Sequence, residues 1–576
     1  MGAINITNFG GMLPIADDRR LPDNRSAYAE NVWLHGGVLD GFRPNTLIHT
    51  NVNPNTKCVF RIPNDLTETP LVSFANSTWM EFENVYVDVL RTPVIDDQFE
   101  RYYWAQPGEA PKYNTLARIQ AGSPEFTLGV PAPDTAPVVV AGSAFDPEAI
   151  IEARAYVYTW VTDYGEEGPV SPPTVVNGPA DALWDLTVTA PIPNDTEGRA
   201  LNLTRIYRTI TSSAGVATYF LVHEMDIGTL AYTDIYLDSE LTGNNLLEST
   251  NWIGPPDELE GMVAMANGIF AGWMGNTLCF SEPFRPHAWP AAYQVTVDFP
   301  IVGMGVIGQS LIIGTTGKPV AATGVHPSTI TLSKIESSAP CVSRGSIVSS
   351  QGSVTYASTD GLVQAKGGAV TPATAEIIDR TRWLNDVDPY DLIAVGYQGK
   401  YFALHAPRLI PALGIMIGSG EQGGFQWMDT DLAIQKIQVD PWSSEVFLVT
   451  ADKVLRFDTH ENSTREPYTW KSKVYHSPRF NNLGVMKVYF ITPEGSPTQT
   501  TFPNNSLVQT LADNQYGLIR VYANDELVAT REIRTSGEMM RLPSGFKAEY
   551  WQFEVTARVT LTDISIASSA RELAGV

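Results

Sequence analysis

NGIFAGWMGNTLCFSEP (267–283), GQSLIIGTTGKPVAATG (308–324), QGSVTYASTDGLVQAKG (351–367), QGKYFALHAPRLIPALG (398–414) and SSEVFLVTADKVLRFDT (443–459) share one grammar. In each, a turn leads into an apolar strand, then a second turn and a second strand. Their starts lie roughly 40–47 residues apart, the spacing of four-stranded propeller blades. The repeat therefore predicts a β-propeller. Similar material stands earlier, in PLVSFANSTWMEFENVYVDVL from Pro70 and ERYYWAQPGEAPKYNT from Glu100, so the N-terminal segment is expected to supply blade strands too.

Outside the repeats the chain is still strand-forming. Short runs of Val, Ile, Thr, Tyr, Phe and Trp alternate with Gly, Asn, Asp and Pro, and amphipathic helices are scarce. One short helix is expected in RLPDNRSAYAENVWL (20–34), ended by Gly36-Gly37. From 131 the pattern becomes that of a fibronectin type III-like sandwich, with Tyr158, Trp160, Tyr207 and Tyr232 as core or corner aromatics. GVPAPDTAP and IGPPDE read as its flanking linkers. A last sandwich is expected from VMKVYFI, GLIRVYAN, ELVATREI and YWQFEVTARVTLTDISIAS. The expected organisation is thus an arm with the first propeller strands (1–130), an inserted sandwich (131–255), propeller blades (256–470) and a C-terminal β-sandwich (471–576). The fold class is all-β.

Composition narrows the function. At 576 residues the chain exceeds one ordinary core. Its 38 Lys and Arg against 63 Asp and Glu leave a formal charge of −25, so gripping phosphates by net charge is excluded. Cys58, Cys279 and Cys341 are odd in number and never paired as Cys-x-x-Cys, so neither a disulfide framework nor a zinc knuckle is indicated. Folding in a reducing cytoplasm is the simple expectation. The first residues lack the basic start and apolar run of a signal peptide. The uncharged stretch 299–317 carries five glycines and reads as two strands rather than a membrane span.

Several motifs imitate chemistry. Gly303-Met304-Gly305-Val306-Ile307-Gly308 matches a dinucleotide fingerprint, but a strand follows where a helix is needed, so it reads as propeller turns. Gly314-Thr315-Thr316-Gly317-Lys318 lacks both the first glycine and the final hydroxyl of a phosphate loop. Asp386, Asp388 and Asp391 are off the spacing of a Ca²⁺ loop and read as turn residues. Asp163, Glu166 and Glu167 in TDYGEEGP read as a solvated hairpin tip. Eight histidines are dispersed, and Arg285, Arg344, Arg380 and Arg382 read as scattered salt-bridge or interface residues. With no nucleophile elbow or sialidase Asp-box, no catalytic residue, cofactor or metal is expected.

NFGGMLPIADDRRLPDNRSAYAENVWLHGGVLDGFRP (8–44), MVAMANGIFAGWMGNTLCFSEPFRPHAWP (262–290) and the ending IASSARELAGV resemble bacteriophage structural proteins. The class is the tail nozzle, or tail tubular protein B, of short-tailed phages. That resemblance implies a propeller-containing subunit of a homohexameric tube beneath the portal and adaptor, which holds back and then conducts the genome. It implies a virion tail location after assembly in the bacterial cytoplasm, portal-adaptor partners, tail fibres as further neighbours, transient passage of DNA, no enzymatic activity and no membrane insertion. The fibronectin-like insertion departs from the simplest members. Gly10, Gly11, Arg19, Arg20, Asn31, Gly36 and Gly37 of the arm are the expected assembly residues. A receptor-binding adhesin and a propeller glycoside hydrolase are the alternative functions; the latter needs a carboxylate pair that spacing does not reveal.

Overall fold

The computed structural model describes the chain except residues 1–2, 66–72, 143–145, 147, 212–216, 351, 367, 406–413, 419–423, 460–464, 492–498, 502–506, 510–516 and 575–576. Four repeats become the second and third strands of a four-stranded antiparallel sheet; the first half of 398–414 is the second strand of an antiparallel run within a ten-stranded sheet, and its second half, 406–413, lies outside the described residues. The paired strands are Phe270–Met274 with Thr277–Phe280, Ser310–Thr315 with Val320–Thr323, Ser353–Ser358 with Gly361–Lys366, Lys400–His405 with Gly414–Gly418, and Val446–Thr450 with Lys453–Arg456. The turn opening each repeat holds a left-handed residue: Asn267 and Gly268, Gly308, Gly352, Gln398 and Gly399, and Ser444. Three of these turns, Ile307 to Ser310, Ser350 to Ser353 and Tyr397 to Lys400, are two-residue hairpins, whose match to the twist of the flanking strands needs the positive φ found at Gly308, Gly352, Gln398 and Gly399. The protein is an all-β propeller.

Two compact units divide the chain, and they do not follow sequence order. Unit one comprises Met1–Val85, Thr316–Pro319 and Ile335–Val576. It holds blades running from Val348–Ser350 to Ala369–Pro372, from Leu392–Tyr397 to Gly424–Met428, and from Ile434–Val439 to Lys453–Arg456. The last is completed by an N-terminal strand, Thr46–Thr50, and a two-stranded sheet pairs Cys58–Pro63 with Ser77–Phe82. Ile393, Val395, Leu404 and Met416 of one blade pack on Ile437, Val446 and Leu448 of the next.

The arm supplies β1 (Ala3–Ile6), β2 (Ser26–Glu30), β3 (Val32–His35), β4 (Val38–Gly41) and the blade-completing β5 (Thr46–Thr50). β1 runs antiparallel to Thr560–Ala567 with Ala3 opposite Ala567, and β4 meets the same strand at Leu39 and Leu561. β2 lies between blade strand Gly424–Met428 and Tyr468–Ser472, joining a blade and the terminal sandwich in one ten-stranded sheet. The core of that sandwich mixes Met486, Trp551, Phe553 and Ile564 with Ile4, Ile6, Phe9, Val32 and Leu39 of the arm. The helix expected over 20–34 is absent. Asn31 takes φ 51°, which a helix cannot hold, and Val32 and Leu34 are buried at the period of a strand, while Ser26–Glu30 finds strands on both sides to pair with.

Unit two comprises Tyr86–Thr315 and Val320–Lys334. Its blades run from Asp88–Arg91 to Phe126–Thr127, from Glu260–Ala264 to Val295–Thr296, and from Ile301–Ile307 to Thr331–Lys334. The fingerprint-like glycines fall differently from expectation: Gly303 and Gly305 lie within strand Ile301–Ile307, and only Gly308 makes a turn. Between the first two blades stands the fibronectin type III-like sandwich. Its three-stranded sheet orders Val138–Ala141, Trp184–Thr187 and Ala231–Asp234; its four-stranded sheet orders Thr174–Pro179, Ile151–Thr162, Leu201–Thr211 and Ala217–Asp226. Tyr156, Tyr158, Trp160, Trp184 and Ile206 fill its core. Tyr207 is buried, and Tyr232 stacks on His223 at 4.1 Å.

Candidate functional site

The arm is where sequence reading placed the working residues, and the structure shows what each one touches. The Gly10 carbonyl accepts the Trp470 indole N–H at 3.1 Å, and a Cβ at Gly10 would meet Asn24 O at 2.7 Å. Gly11 lies against the Gly424–Phe425 backbone, where a Cβ would stand 3.0 Å from Phe425 O. Glycine is thus required twice because two backbones approach each other without room for a side chain. The Asn31 side chain donates to Asp429 O at 3.0 Å and accepts the Asp429 amide at 2.9 Å, tying the arm to the end of a blade in both directions. Gly37 accepts the Phe9 amide at 3.1 Å, while Phe9 meets Trp470 edge-on at 5.1 Å.

Three of the expected residues look outward. Arg19 lies 4.6 Å over the Tyr550 ring and 3.9 Å from Asp525, with half its side chain exposed. Arg20 is exposed, its amide closing a turn onto Asp17 O. Gly36 has φ +62° with open space around it. The arm therefore uses Gly10, Gly11, Asn31 and Gly37 inside the subunit and offers Arg19, Arg20 and Gly36 to solvent.

Beside the arm, a cleft of about 980 Å³ opens between the blades starting at Val348–Ser350 and Leu392–Tyr397. Ser349, Gln364, Gln398 and Lys400 line it, with Arg25 from the arm. The Lys400 ammonium bonds Leu34 O at 3.0 Å and sits 4.0 Å over the Trp33 ring, and burial pulls its pKa down to about 8. Asp386, Asp388 and Asp391 are spread over consecutive tight turns, with Asp388 left-handed at φ 50°. Among the described residues no three His, Cys, Asp or Glu side chains are grouped to hold a metal ion.

The joint of the inserted sandwich in unit two is the polar site that sequence reading missed. The tip TDYGEEGP is not the solvated hairpin expected: Asp163 is exposed, but Glu166 and Glu167 are buried. Tyr164 wedges among Phe99, Tyr113 and Phe126, with ring centroids 4.9–6.1 Å away. The wedge draws Glu166 under cover, where it accepts from Arg101 Nη1 at 2.7 Å and from Tyr103 OH at 3.4 Å. Arg101 Nε donates to Asp97 at 2.8 Å. His287, from the loop after Thr277–Phe280, puts Nδ1 3.9 Å from Glu166, while its Nε2 has no hydrogen-bond partner among the described residues. Burial raises the Glu166 pKa to about 7 despite Arg101, and burial followed by the Arg285 and Arg101 charges lowers His287 to about 3. Glu167 takes Thr159 and Tyr207 hydroxyls at 2.6 and 2.7 Å and Arg205 at 2.9 Å.

The expected linkers of the insertion meet at this joint. A Cβ on Gly129, at φ +97°, would lie 2.5 Å from Gly254 Cα, and Arg199 Nη1 donates to Gly129 O at 2.9 Å. The only sequence signals were an aromatic placed mid-tip, Tyr164, and an arginine opening the aromatic run RYYWA. Neither implies a long-range pair.

No protein-family model matches the chain, and no curated protein does so. Among solved structures it is similar to the Neurospora crassa Pan2 WD40 domain, at 8% identity and TM-score 0.23 over 50% of this chain and 86% of that one. It is also similar to the N-terminal domain of Nup159, at 8% identity and TM-score 0.22 over 61% and 86%. At those scores the likeness carries no argument, and the propeller rests on the order and pairing of the strands themselves.

Proposed function

We propose that the protein is a structural subunit of a ring-shaped tail nozzle of a short-tailed bacteriophage, a homohexamer that closes the tail channel and conducts DNA during ejection. The observation that carries this reading is the way β2 joins a blade and the terminal sandwich through main-chain hydrogen bonds, with β1 and β4 sealing the last strand of the chain. A subunit holding back packaged DNA must pass force without opening, and an arm laced into two sheets suits that task. The net charge of −25 per copy suits a channel that DNA slides through rather than sticks to. In this reading Arg19, Arg20 and Gly36, left outward by the arm, face portal-adaptor proteins or the next copy. Negative-stain imaging of the purified chain with its adaptor tests it: closed rings stacked on the adaptor are expected, and single copies that ignore the adaptor overturn it. In parallel, duplex DNA at physiological salt is expected to bind more weakly than about 10⁻⁵ M. Tight binding with a steep salt dependence speaks against a sliding channel.

A further inference from the structure

We propose that Glu166 and His287 form a proton-compensated lock on the joint between the inserted sandwich and its blades, so that in mildly acidic solution opening the joint exchanges no net proton. The two groups come from different elements, Glu166 from the sandwich tip and His287 from a blade loop, and each side chain is only 4% exposed with their atoms 3.9 Å apart. Tyr164 packs the tip among Phe99, Tyr113 and Phe126, so withdrawing the tip takes Glu166 away from Arg101 and from His287 and ends the mutual burial of the two groups.

The surrounding charges leave this pair in control. Arg101 and Asp97, from the first blade of unit two, bond each other and cancel. Burial works against the Asp97 charge, but its bonds to Arg101 hold its pKa below the ordinary value of 3.8, so it keeps its charge through the range considered. Tyr103 and Tyr113 face Glu166 from the same blade, and both titrate well above their ordinary value because they are buried. Arg285 faces His287 from its own loop, and the Glu167 backbone bonds its ring. Glu167 itself is tied to Arg205.

The signs are opposite. A raised carboxyl favours the closed joint below its ordinary 4.5, and that preference is lost as pH rises toward about 7, since opening releases a proton throughout this interval. A lowered imidazole does the reverse: opening takes up a proton from about 3 to its ordinary 6.5, so closure gains as pH rises. Over the shared interval, from 4.5 to 6.5, release and uptake cancel. The joint is then indifferent to pH where either group alone would make it respond.

Hydrogen-exchange mass spectrometry on the full chain tests this at the tip, where Thr162, Gly165 and Gly168 amides are bonded to Glu166, Thr162 and Trp160 carbonyls. With the intrinsic exchange rate divided out, protection in the wild type is expected to stay within about twofold between roughly pH 5 and 6. In Glu166→Gln it is expected to rise about tenfold over that unit, and in His287→Asn to fall about tenfold, one proton being worth a factor of ten per pH unit. A wild-type tip that itself changes about tenfold overturns the proposal, and this measurement stands even if a variant fails to fold. So do variants that lower protection by one factor at every pH, the result of mere packing damage.

Discussion

The two sandwiches of this protein are attached by different physics. The terminal one is incomplete without the arm: β1 and β4 lie on its last strand and β2 extends its other sheet, so main-chain hydrogen bonds and the shared core of Phe9, Trp470 and Leu39 do the joining. The inserted one has its seven strands in sequence and its own core, and is held to its blades by side chains: an aromatic wedge, a buried Arg101–Glu166 hydrogen bond and two glycines in contact. Main-chain lacing tolerates substitution on the surface of the strands but not loss of a strand. A side-chain joint survives loss of distant parts yet depends on single residues, because a charge left buried without its partner is costly.

Removing residues 1–44 should have the largest effect, since it strips four strands from unit one and uncovers Trp470, Phe425 and Leu561. The soluble fraction on expression is expected to collapse, whereas removal of 131–250 with a short linker leaves a folded remainder with a damaged patch at Tyr103, Tyr113 and Phe126. The contrast fails if size-exclusion chromatography finds the arm-less chain intact and the other aggregated. Next, Arg101→Ala should cost about 3–5 kcal/mol of joint stability, because Asp97 loses its counter-charge and Glu166 its guanidinium donor; faster protease cleavage at the tip is the readout. Phe9→Ala should cost a similar ~3–5 kcal/mol on the arm side, seen as lost hydrogen-exchange protection in Thr560–Ala567. If that strand is unaffected, the arm is not coupled to the sandwich as described. Smaller still, Gly36→Ala should cost about 1 kcal/mol through its left-handed backbone alone. Arg20→Ala should stay within about 0.5 kcal/mol of wild type in stability, as read from its thermal midpoint.

Sequence reading succeeded where the information was local. Each repeat carries its own turn and its own positive-φ residue, so four of the hairpins could be read from 17 residues at a time, while the second half of 398–414 lies outside the described residues. The sandwich aromatics Tyr158, Trp160 and Tyr207 were legible for the same reason. It failed where partners are distant. Residues 20–34 read as a helix because nothing nearby announces that Gly424–Met428 and Tyr468–Ser472 will flank them. Glu166 and Glu167 read as solvated because acidic residues beside a glycine usually are, and Arg101 is 65 residues away. Of the arm residues, Gly10 and Gly11 are explained by close backbone approach, but only the strand pairing reveals which backbone approaches.

The pairing of Ala3 with Ala567 also orders events in time. At about 5–20 residues per second, the ribosome releases the arm roughly half a minute to two minutes before the strand it must join exists. Until then Ile4, Ile6, Phe9 and Val32 have no core to enter, and β1 and β4 lack the strand they pair with. Closing this pair is therefore a capture across the stretch from Ala3 to Ala567, slow to form because its loop is long. A chain closed this way is set once and kept shut by kinetics.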